Sequence, residues 1–441
     1  MGNYETNNII NYINIGICYC LEQNKSEGLL GINDFENNNL LEDIKIYNIT
    51  NNSITEDSIL YNDNKVINYQ NISFEITDYF PKIFHFLRNI DFIEEDIIVR
   101  SFIPMLNKGT FEKSQGKSKD FFVHTHDNLF LIKTINLTDK EYFQNNFLLQ
   151  YAKHIYYNNC SLLCRIFGLY KLKSNNFLYW NNEIYFVILR NLIGIFDPEN
   201  IFVIYDLKGC NHDRKIFTEY NVLQKEILKD INFEEREEKS ILVNNKDAEK
   251  IITILKKDTE FLSNCNIIDY SLFVSKICIT KEDNKFIYKD DDLYDFQSQY
   301  IDYLNNKLYN LDLDFIDNEI LIDLIEKNFR YKKNEKNTTN IENRDLSFNK
   351  SNLKFIKKNI FKSLEKDKIY VLGIIDYFQS YNINKIFEST YKRLLYGKDN
   401  ISSVPPIDYK NRFLNFFKQC FDYNNILRQF SKIINKKKKS I

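Results

Sequence analysis

The sequence predicts an α+β protein with two lobes, first a part rich in strands and then a part rich in helices. Its 441 residues, of which 44% are hydrophobic and 27% charged, are enough to enclose two or three hydrophobic cores. Both the alternating period of strands and the longer period of helices occur along the chain, and no internal repeat is present. A cleft between two lobes is the usual place for a ligand, so we expect the functional site there.

Hydrophobic spacing predicts the elements in chain order. Residues 1–75 are rich in Asn, and their short Ile and Leu runs have little period, so we expect a variable extension. From Ile76 to Phe102 apolar side chains recur at three and four residues, which is helix spacing. Further helices are predicted over residues 139–157, 246–264 and 409–434, and strands over residues 120–135, 184–189, 201–205 and 368–375.

These elements suggest a domain division. We expect an N-terminal lobe over residues 76–193 and a C-terminal lobe over residues 194–441. Residues 332–352 are almost wholly polar and are predicted to be a disordered insert. The chain ends in a basic tail, Lys436–Lys439, which is either solvated or attracted to an anionic membrane, where each basic residue contributes about 1 kcal/mol.

Composition excludes several classes of protein. A formal net charge of −2, without interleaved aromatic and basic residues, argues against a nucleic-acid partner. No apolar run reaches the length of about 18 residues that a membrane-spanning helix needs, and no secretion signal is present. The eight Cys lack metal-binding spacing and are expected to be free thiols in a reducing cytosol. The start, Met1–Thr6, fits the loose N-myristoylation pattern, although the acidic Glu5 argues against it.

Three charged residues adjoin apolar strands. Lys133 ends the run Asn128-Leu-Phe-Leu-Ile-Lys, where a nucleotide phosphate would satisfy its charge; the alternative is an edge-strand lysine that reaches outward to solvent. Asp269 and Asp376 each follow two Ile and precede a Tyr. Two such acids suit phosphoryl transfer, one positioning the acceptor and one binding a metal, and the alternative for each is a capping Asp at a turn.

The glycines do not form a Walker A loop. Gly116-Lys-Ser would need a Gly at position 111, where the chain has Phe111. A looser loop that covers phosphate, from Ser114 to Phe122, remains compatible with the sequence.

Nine motifs occur in an order that resembles the phosphatidylinositol phosphate kinase family, over roughly residues 76–417. They are Gly116-Lys-Ser-Lys-Asp-Phe-Phe, Leu131-Ile-Lys-Thr, Cys164-Arg-Ile-Phe-Gly-Leu-Tyr, Phe186-Val-Ile-Leu-Arg-Asn-Leu, Tyr205-Asp-Leu-Lys-Gly-Cys, Lys229-Asp-Ile-Asn-Phe, Asn266-Ile-Ile-Asp-Tyr-Ser-Leu, Gly373-Ile-Ile-Asp and Val404-Pro-Pro. The resemblance implies a two-lobed kinase-like fold of antiparallel sheets and helices, with an active-site cleft between the lobes. It also implies ATP and Mg²⁺ as cofactors.

The resemblance also implies roles for residues on the ATP side. Lys133 would hold the α- and β-phosphates, with Glu141 as its partner on the following helix. The phosphate loop would include Gly116 and Ser118, and the adenine would face the residues from Leu189 through Asn191 to Leu192. Lys119 stands where the family has its second loop glycine, which would hinder close approach of the backbone to phosphate.

On the lipid side, the resemblance implies that Asp269 lies near the acceptor hydroxyl, with Lys208 near the active site, and that Asp376 ligates Mg²⁺. Cys210, beside Lys208, replaces the usual Ser of its signature. Glu388 would set the choice of lipid, because 5-kinases of the family have Glu there. It would do so through Lys385 and Lys392, which would grip the inositol phosphate.

The expected reaction is phosphorylation of phosphatidylinositol 4-phosphate at the 5-hydroxyl, giving the 4,5-bisphosphate. Phosphatidylinositol 3-phosphate as substrate and a catalytically silent membrane adaptor are the alternatives, and a protein kinase is disfavoured because no HRD-type loop is present. The expected location is cytoplasmic, peripheral at the cytosolic face of the plasma membrane. A homodimer is left open.

Overall fold

The computed structural model describes most of the chain, with gaps. Described are residues 3–24, 28, 30–36, 38–50, 53, 73–93, 95–102, 112–113, 121–125, 127–175, 182–196, 198–217, 226–278, 358–365, 367–382, 404–422 and 425–426. They fall into two units. Unit 1 takes the described residues up to 159 together with 164–195, and unit 2 takes residues 160–163 and the described residues from 196 onward. The predicted lobe bounds stay a prediction.

Unit 1 is built on a seven-stranded sheet in which all neighbouring strands are antiparallel, in the order β1-β2-β6-β7-β5-β4-β3. Its strands are β1 (Ile44–Thr50), β2 (Ser73–Tyr79), β3 (Glu112–Lys113), β4 (Phe121–His124), β5 (Phe130–Ile135), β6 (Ile166–Lys173) and β7 (Glu183–Arg190). Its helices are α1 (Asn3–Asn24), α2 (Pro81–Ile90), α3 (Glu95–Ser101), α4 (Leu137–Tyr142) and α5 (Leu148–Tyr157), and one π-helical turn, Phe143–Phe147, joins the last two.

The N-terminal region is more regular than its sequence suggests. Instead of the expected extension without period, α1 is a helix of 22 residues, and β1 adds a strand to the sheet. The apolar residues of α1 from Ile9 to Leu21 are buried in the core of unit 1. A helix that is apolar on several sides is a buried helix and has no polar stripe, so it shows little of the amphipathic period.

The helix predicted from Ile76 starts later. Ile76 lies in β2, which ends at Tyr79, and α2 begins at Pro81. Phe80 between them has a φ of 60°, which breaks the regular backbone, and Pro favours the first turn of a helix. The prediction was therefore wrong for residues 76–80 and for the turn at residues 91–92, and correct for α2 and α3.

Unit 2 contains a five-stranded sheet in the order β11-β12-β10-β8-β9, in which only the β8–β9 pair is parallel. The strands are β8 (Ile201–Leu207), β9 (Ile227–Leu228), β10 (Ser271–Cys278), β11 (Ile360–Lys362) and β12 (Lys368–Ile375). The helices are α6 (Asp230–Glu237), α7 (Asn245–Asn264) and α8 (Pro406–Cys420).

The last predicted helix differs at both ends. It was expected over residues 409–434, but α8 begins at Pro406 and ends at Cys420. Proline suits a first helical turn because its missing N–H would have no partner there. Residues 427–434, like the polar segment 332–352, lie outside the described residues.

Candidate active site

Three strands of unit 2 meet at one end of the sheet. β8 runs antiparallel to β10, with its last residue, Leu207, opposite Leu272. β12 also runs antiparallel to β10, with its last residue, Ile375, opposite Ser271. Strands β8 and β12 therefore end where β10 begins, and the residues just beyond these ends share one edge of the fold.

Lys208, Asp269 and Asp376 are the residues at this end. Lys208 directly follows β8, Asp376 directly follows β12, and Asp269 comes two residues before β10. Each of the three was a separate prediction from the sequence, and the strand register brings all three to the same edge.

Both acids occupy an uncommon backbone conformation. Asp269 has a φ of 67° and Asp376 a φ of 59°. This left-handed region is costly for residues with a Cβ, although Asp tolerates it better than most. Such conformations cluster at functional sites, where they direct a side chain that regular structure would not present.

Lys208 is paired with Asp269. The Lys208 Nζ lies 2.8 Å from the Asp269 Oδ1, and the two side chains are 14% and 28% exposed. Burial alone would lower the pKa of Lys208, but the neighbouring carboxylates of Asp269 and Asp206 outweigh it, so the pKa is raised. The lysine therefore remains charged beside the carboxylate of Asp269.

Two buried residues that the sequence analysis did not select adjoin this pair. Arg214 donates from Nε to the Asp230 Oδ2 at 2.6 Å and from a terminal nitrogen to the Asp206 Oδ1 at 3.0 Å. Asp230 is completely buried, and burial raises its pKa even though Arg214 acts in the opposite direction. The sequence signal for Asp230 was the motif Lys229-Asp-Ile-Asn-Phe, which is part of the family resemblance but had no role attached to its aspartate.

Lys133 lies within the sheet of unit 1. It is on β5, opposite Phe122 of β4 and Val187 of β7, and is 7% exposed. Its Nζ lies 5.5 Å from the centre of the Phe122 ring. β5 has a neighbour on each side, so the alternative of an edge-strand lysine that reaches solvent is wrong.

The predicted adenine-facing segment is fixed to the turn between β4 and β5. The Asn191 N–H donates to the Leu129 carbonyl oxygen at 3.0 Å, and the Asn191 side-chain nitrogen lies 3.3 Å from the His124 Nδ1. Leu189 and Leu192 are 8% and 6% exposed. These contacts fix Asn191 against the turn, while the role of the segment toward adenine stays a prediction.

The other predicted site residues are less well defined. Glu141 is exposed on α4, and its pairing with Lys133 stays a prediction. Those outside the described residues are Gly116, Ser118, Lys385, Glu388, Lys392 and the basic tail.

A magnesium ion would need carboxylate ligands at this site. The described residues contain no group of three or more His, Cys, Asp or Glu side chains that could enclose a metal. Mg²⁺ in kinases is usually held by one or two carboxylates together with the phosphates of the nucleotide. The exposed carboxylate of Asp376, at the end of a strand, fits that mode.

Among the described residues, no helix combines the length and apolar character that crossing a bilayer requires.

Phosphoryl transfer needs a cation at the nucleotide phosphates, a carboxylate for Mg²⁺ and a group that aims the acceptor hydroxyl, and Lys133, Asp376 and Asp269 are residues of these kinds. Residues 107–420, well over half of the chain, match the family model described as Phosphatidylinositol-4-phosphate 5-Kinase. The chain belongs to this family. The α+β fold, of antiparallel and mixed sheets with helices, agrees with the predicted fold class.

Several proteins are similar to this chain. A probable phosphatidylinositol phosphate kinase of Dictyostelium discoideum is 29% identical over 78% of this chain and 47% of its own length. A putative phosphatidylinositol 4-phosphate 5-kinase of Arabidopsis thaliana is 28% identical over 79% of this chain and 90% of its own length. The mouse phosphatidylinositol 4-phosphate 5-kinase type-1 beta is 24% identical over 78% of this chain and 58% of its own length. The chain thus spans about half the length of some relatives and most of another.

Proposed function

We propose that this protein transfers the γ-phosphoryl group of ATP to the 5-hydroxyl of phosphatidylinositol 4-phosphate. The observation that carries the proposal is the meeting of Lys208, Asp269 and Asp376 at one end of the unit 2 sheet. The family match over residues 107–420 supports a phosphoinositide substrate. Several similar proteins are named phosphatidylinositol 4-phosphate 5-kinases, which supports this lipid among the phosphoinositides.

The residues of unit 2 have complementary roles in this proposal. Asp269 orients the lipid hydroxyl and accepts its proton, and the contact with Lys208 holds the Asp269 carboxylate in place for that purpose. Asp376 binds Mg²⁺, which supplies charge neutralisation at the phosphates when bound. Because phosphoryl transfer depends mainly on positioning and electrostatics, a lysine and two acids are chemically sufficient for this part of the site.

The nucleotide is held by residues of unit 1. Lys133 binds the α- and β-phosphates of ATP, for which its burial inside an apolar sheet is suited, since an anion offsets the cost of a buried charge. The adenine lies against Leu189, Asn191 and Leu192, and Glu141 orients Lys133. Gly116 and Ser118 cover the phosphates.

The test is a lipid panel. Purified full-length protein with radiolabelled ATP and Mg²⁺ is given vesicles with the 3-, 4- or 5-monophosphate of phosphatidylinositol, each at equal mole fraction. Preference for the 4-phosphate is expected, with the label at position 5. Preference for the 3-phosphate would assign the alternative 5-kinase activity, and no turnover of any lipid by folded, ATP-binding protein would favour a silent adaptor.

We also propose that the protein binds the cytosolic face of the plasma membrane through Lys436–Lys439. Four clustered positive charges attract anionic lipid, and salt screens that attraction. Replacing all four lysines with Ala is expected to weaken sedimentation with phosphatidylserine vesicles, most strongly at low salt. Unchanged sedimentation at low salt would refute a role for the tail.

A further inference from the structure

The loop that follows β8 is held by the first turn of α6. Asn232 accepts the N–H of Ile216 at 2.9 Å and donates to the carbonyl oxygen of the same residue at 2.9 Å. The Ile231 N–H donates to the Arg214 carbonyl oxygen at 3.0 Å. Two residues of this turn therefore fix the far end of a loop whose first residue is Lys208.

Asp230 fixes the near end of the loop. Its Oδ1 accepts the N–H of Lys208 at 2.9 Å and the N–H of Gly209 at 2.7 Å. Its Oδ2 accepts the Arg214 Nε at 2.6 Å. The carboxylate is completely buried and has three donors, so it holds the Lys208 backbone from a position that solvent does not reach.

Arg214 ties this anchor to a second acid. The guanidinium Nε donates to the Asp230 side chain, and a terminal nitrogen donates to the side chain and the backbone oxygen of Asp206. Arg214 is 7% exposed. The planar guanidinium holds its donors at fixed angles to the two carboxylates, whereas a lysine offers a single ammonium group without that fixed geometry.

The close packing of the turn at Gly209 restricts the backbone of the preceding residue, Lys208. Gly209 has a φ of 69°, and a Cβ there would lie 3.0 Å from the Phe416 Cβ of α8. The turn therefore packs against α8 on one side and is hydrogen-bonded to α6 on the other. Lys208, which begins this turn, has a defined backbone from which its side chain reaches Asp269.

We propose that Asp230, together with Arg214, is a positioning residue for the reaction: it holds the Lys208 backbone so that the ammonium group stays on Asp269. The kinetic part of this proposal rests on the proposed function. The positional part concerns Lys208 itself and can be measured in the absence of any lipid substrate.

The chain provides a matched control at the other end of the same helix. Glu237, the last residue of α6, is also a buried acid that holds a lysine, with its Oε2 2.7 Å from the Lys276 Nζ. Lys276 has a second acid, Glu365, at 2.9 Å, so Glu237→Gln should fold. Asp230→Asn and Glu237→Gln thus make the same chemical change at opposite ends of one helix.

The first measurement is brief acetylation of full-length protein with an amine-reactive ester, followed by peptide mass spectrometry. Because labelling follows the population in which a lysine is open to reagent, Asp230→Asn should raise the labelling of Lys208 about threefold or more. Glu237→Gln should raise the labelling of Lys276 and leave Lys208 as in the unmodified protein. Equal labelling of Lys208 in both variants would overturn the proposal, whatever the substrate of the protein.

The second measurement is steady-state kinetics with the best lipid of the panel. Asp230→Asn should lower kcat by about tenfold or more with little change in the KM for ATP, because a misplaced group loses transition-state contacts. Glu237→Gln should stay within about twofold, the ordinary effect of a change away from the reacting groups. A kcat loss in Asp230→Asn no larger than that of the control, at equal thermal midpoints, would overturn the proposal.

A milder variant covers the case in which Asp230→Asn does not fold. Arg214→Lys keeps the positive charge but lacks the planar group whose Nε and terminal nitrogen bind Asp230 and Asp206 at fixed angles. It should increase Lys208 labelling and lower kcat, both by less than Asp230→Asn would. Labelling and kcat equal to those of the unmodified protein would refute the positioning role of Arg214 and Asp230.

Discussion

Gly194 allows the predicted adenine-facing segment to lie against the turn between β4 and β5. A Cβ at this position would lie 1.7 Å from the Asn128 carbonyl oxygen, which belongs to the backbone. Contacts of real Cβ atoms essentially never fall below 3.0 Å, so Gly194→Ala must move the two segments apart by at least 1.3 Å, the difference of the two distances. A backbone atom cannot rotate away as a side chain could.

The cost has two parts. Overpacking of a well-fitted site costs about 1–3 kcal/mol. Moving the segment also lengthens the hydrogen bond from the Asn191 N–H to the Leu129 carbonyl oxygen, which is 3.0 Å, at about 1 kcal/mol. The sum is about 2–4 kcal/mol, which corresponds to a fall of about 5–15 °C in the midpoint of a unit of this size.

The assay is thermal unfolding together with calorimetric titration of ATP. Gly194→Ala should lower the midpoint by that amount and weaken ATP binding. Gly28→Ala is the control in the same unit, because a Cβ at Gly28 has no neighbour within 4 Å. If Gly194→Ala and Gly28→Ala have the same midpoint and the same ATP affinity, the close approach at Gly194 does not shape the nucleotide site.

Three further predictions concern the chemistry, the lipid and the pH dependence. Each of three substitutions that neutralise a charge should lower lipid turnover by about a hundredfold while the protein stays folded: Lys133→Met, Asp269→Asn and Asp376→Asn. Near-normal turnover in any one of these variants would remove that residue from the site. Glu388→Ala should reduce the preference for the 4-phosphate in the lipid panel, and an unchanged preference would disprove its role. Burial alone would raise the pKa of Glu365, but Lys276 and Lys368 outweigh it and hold it below the ordinary 4.5. The stability from this ionised carboxylate is present above pH 4.5 and is lost as the pH falls through the lowered pKa. Glu365→Gln should therefore flatten the fall in the unfolding free energy in acid urea titrations, and a parallel curve would contradict the pairing.

Three charged residues of the site could be predicted from sequence because each stands beside an apolar run. A charge in such a place is costly without a partner, and this reasoning found Lys133, Asp269 and Asp376. The pairing of Ser271 with Ile375 could not be deduced in the same way, since local spacing does not reveal which strands become neighbours. The meeting of the acids at one edge therefore required the structure.

The sequence did not predict the helix α1 or the roles of Asp230 and Arg214, and both omissions have physical causes. The apolar residues of α1 are buried on several sides, so the helix lacked the polar face that marks an amphipathic helix. Asp230 and Arg214 were not selected because their positions in sequence look like an ordinary helix start and a surface residue in a polar loop. Their burial arises from the return of the loop over α6, which is a tertiary contact.

The pairing of β10 with β12 fixes the positions of Asp269 and Asp376 independently of the length of the chain that connects the two strands. Strand β10 ends at Cys278 and β11 begins at Ile360, while the eight residue pairs between β10 and β12, from Ser271–Ile375 to Cys278–Lys368, set where Asp269 and Asp376 meet. Loop closure becomes only about 0.6 kcal/mol less favourable with each doubling of length, so insertions between the two strands can accumulate during evolution with little effect on folding. A single residue inserted within β10 would instead reverse the faces of the strand beyond it. Divergence in length should therefore concentrate between Cys278 and Ile360 and be absent from the strands themselves.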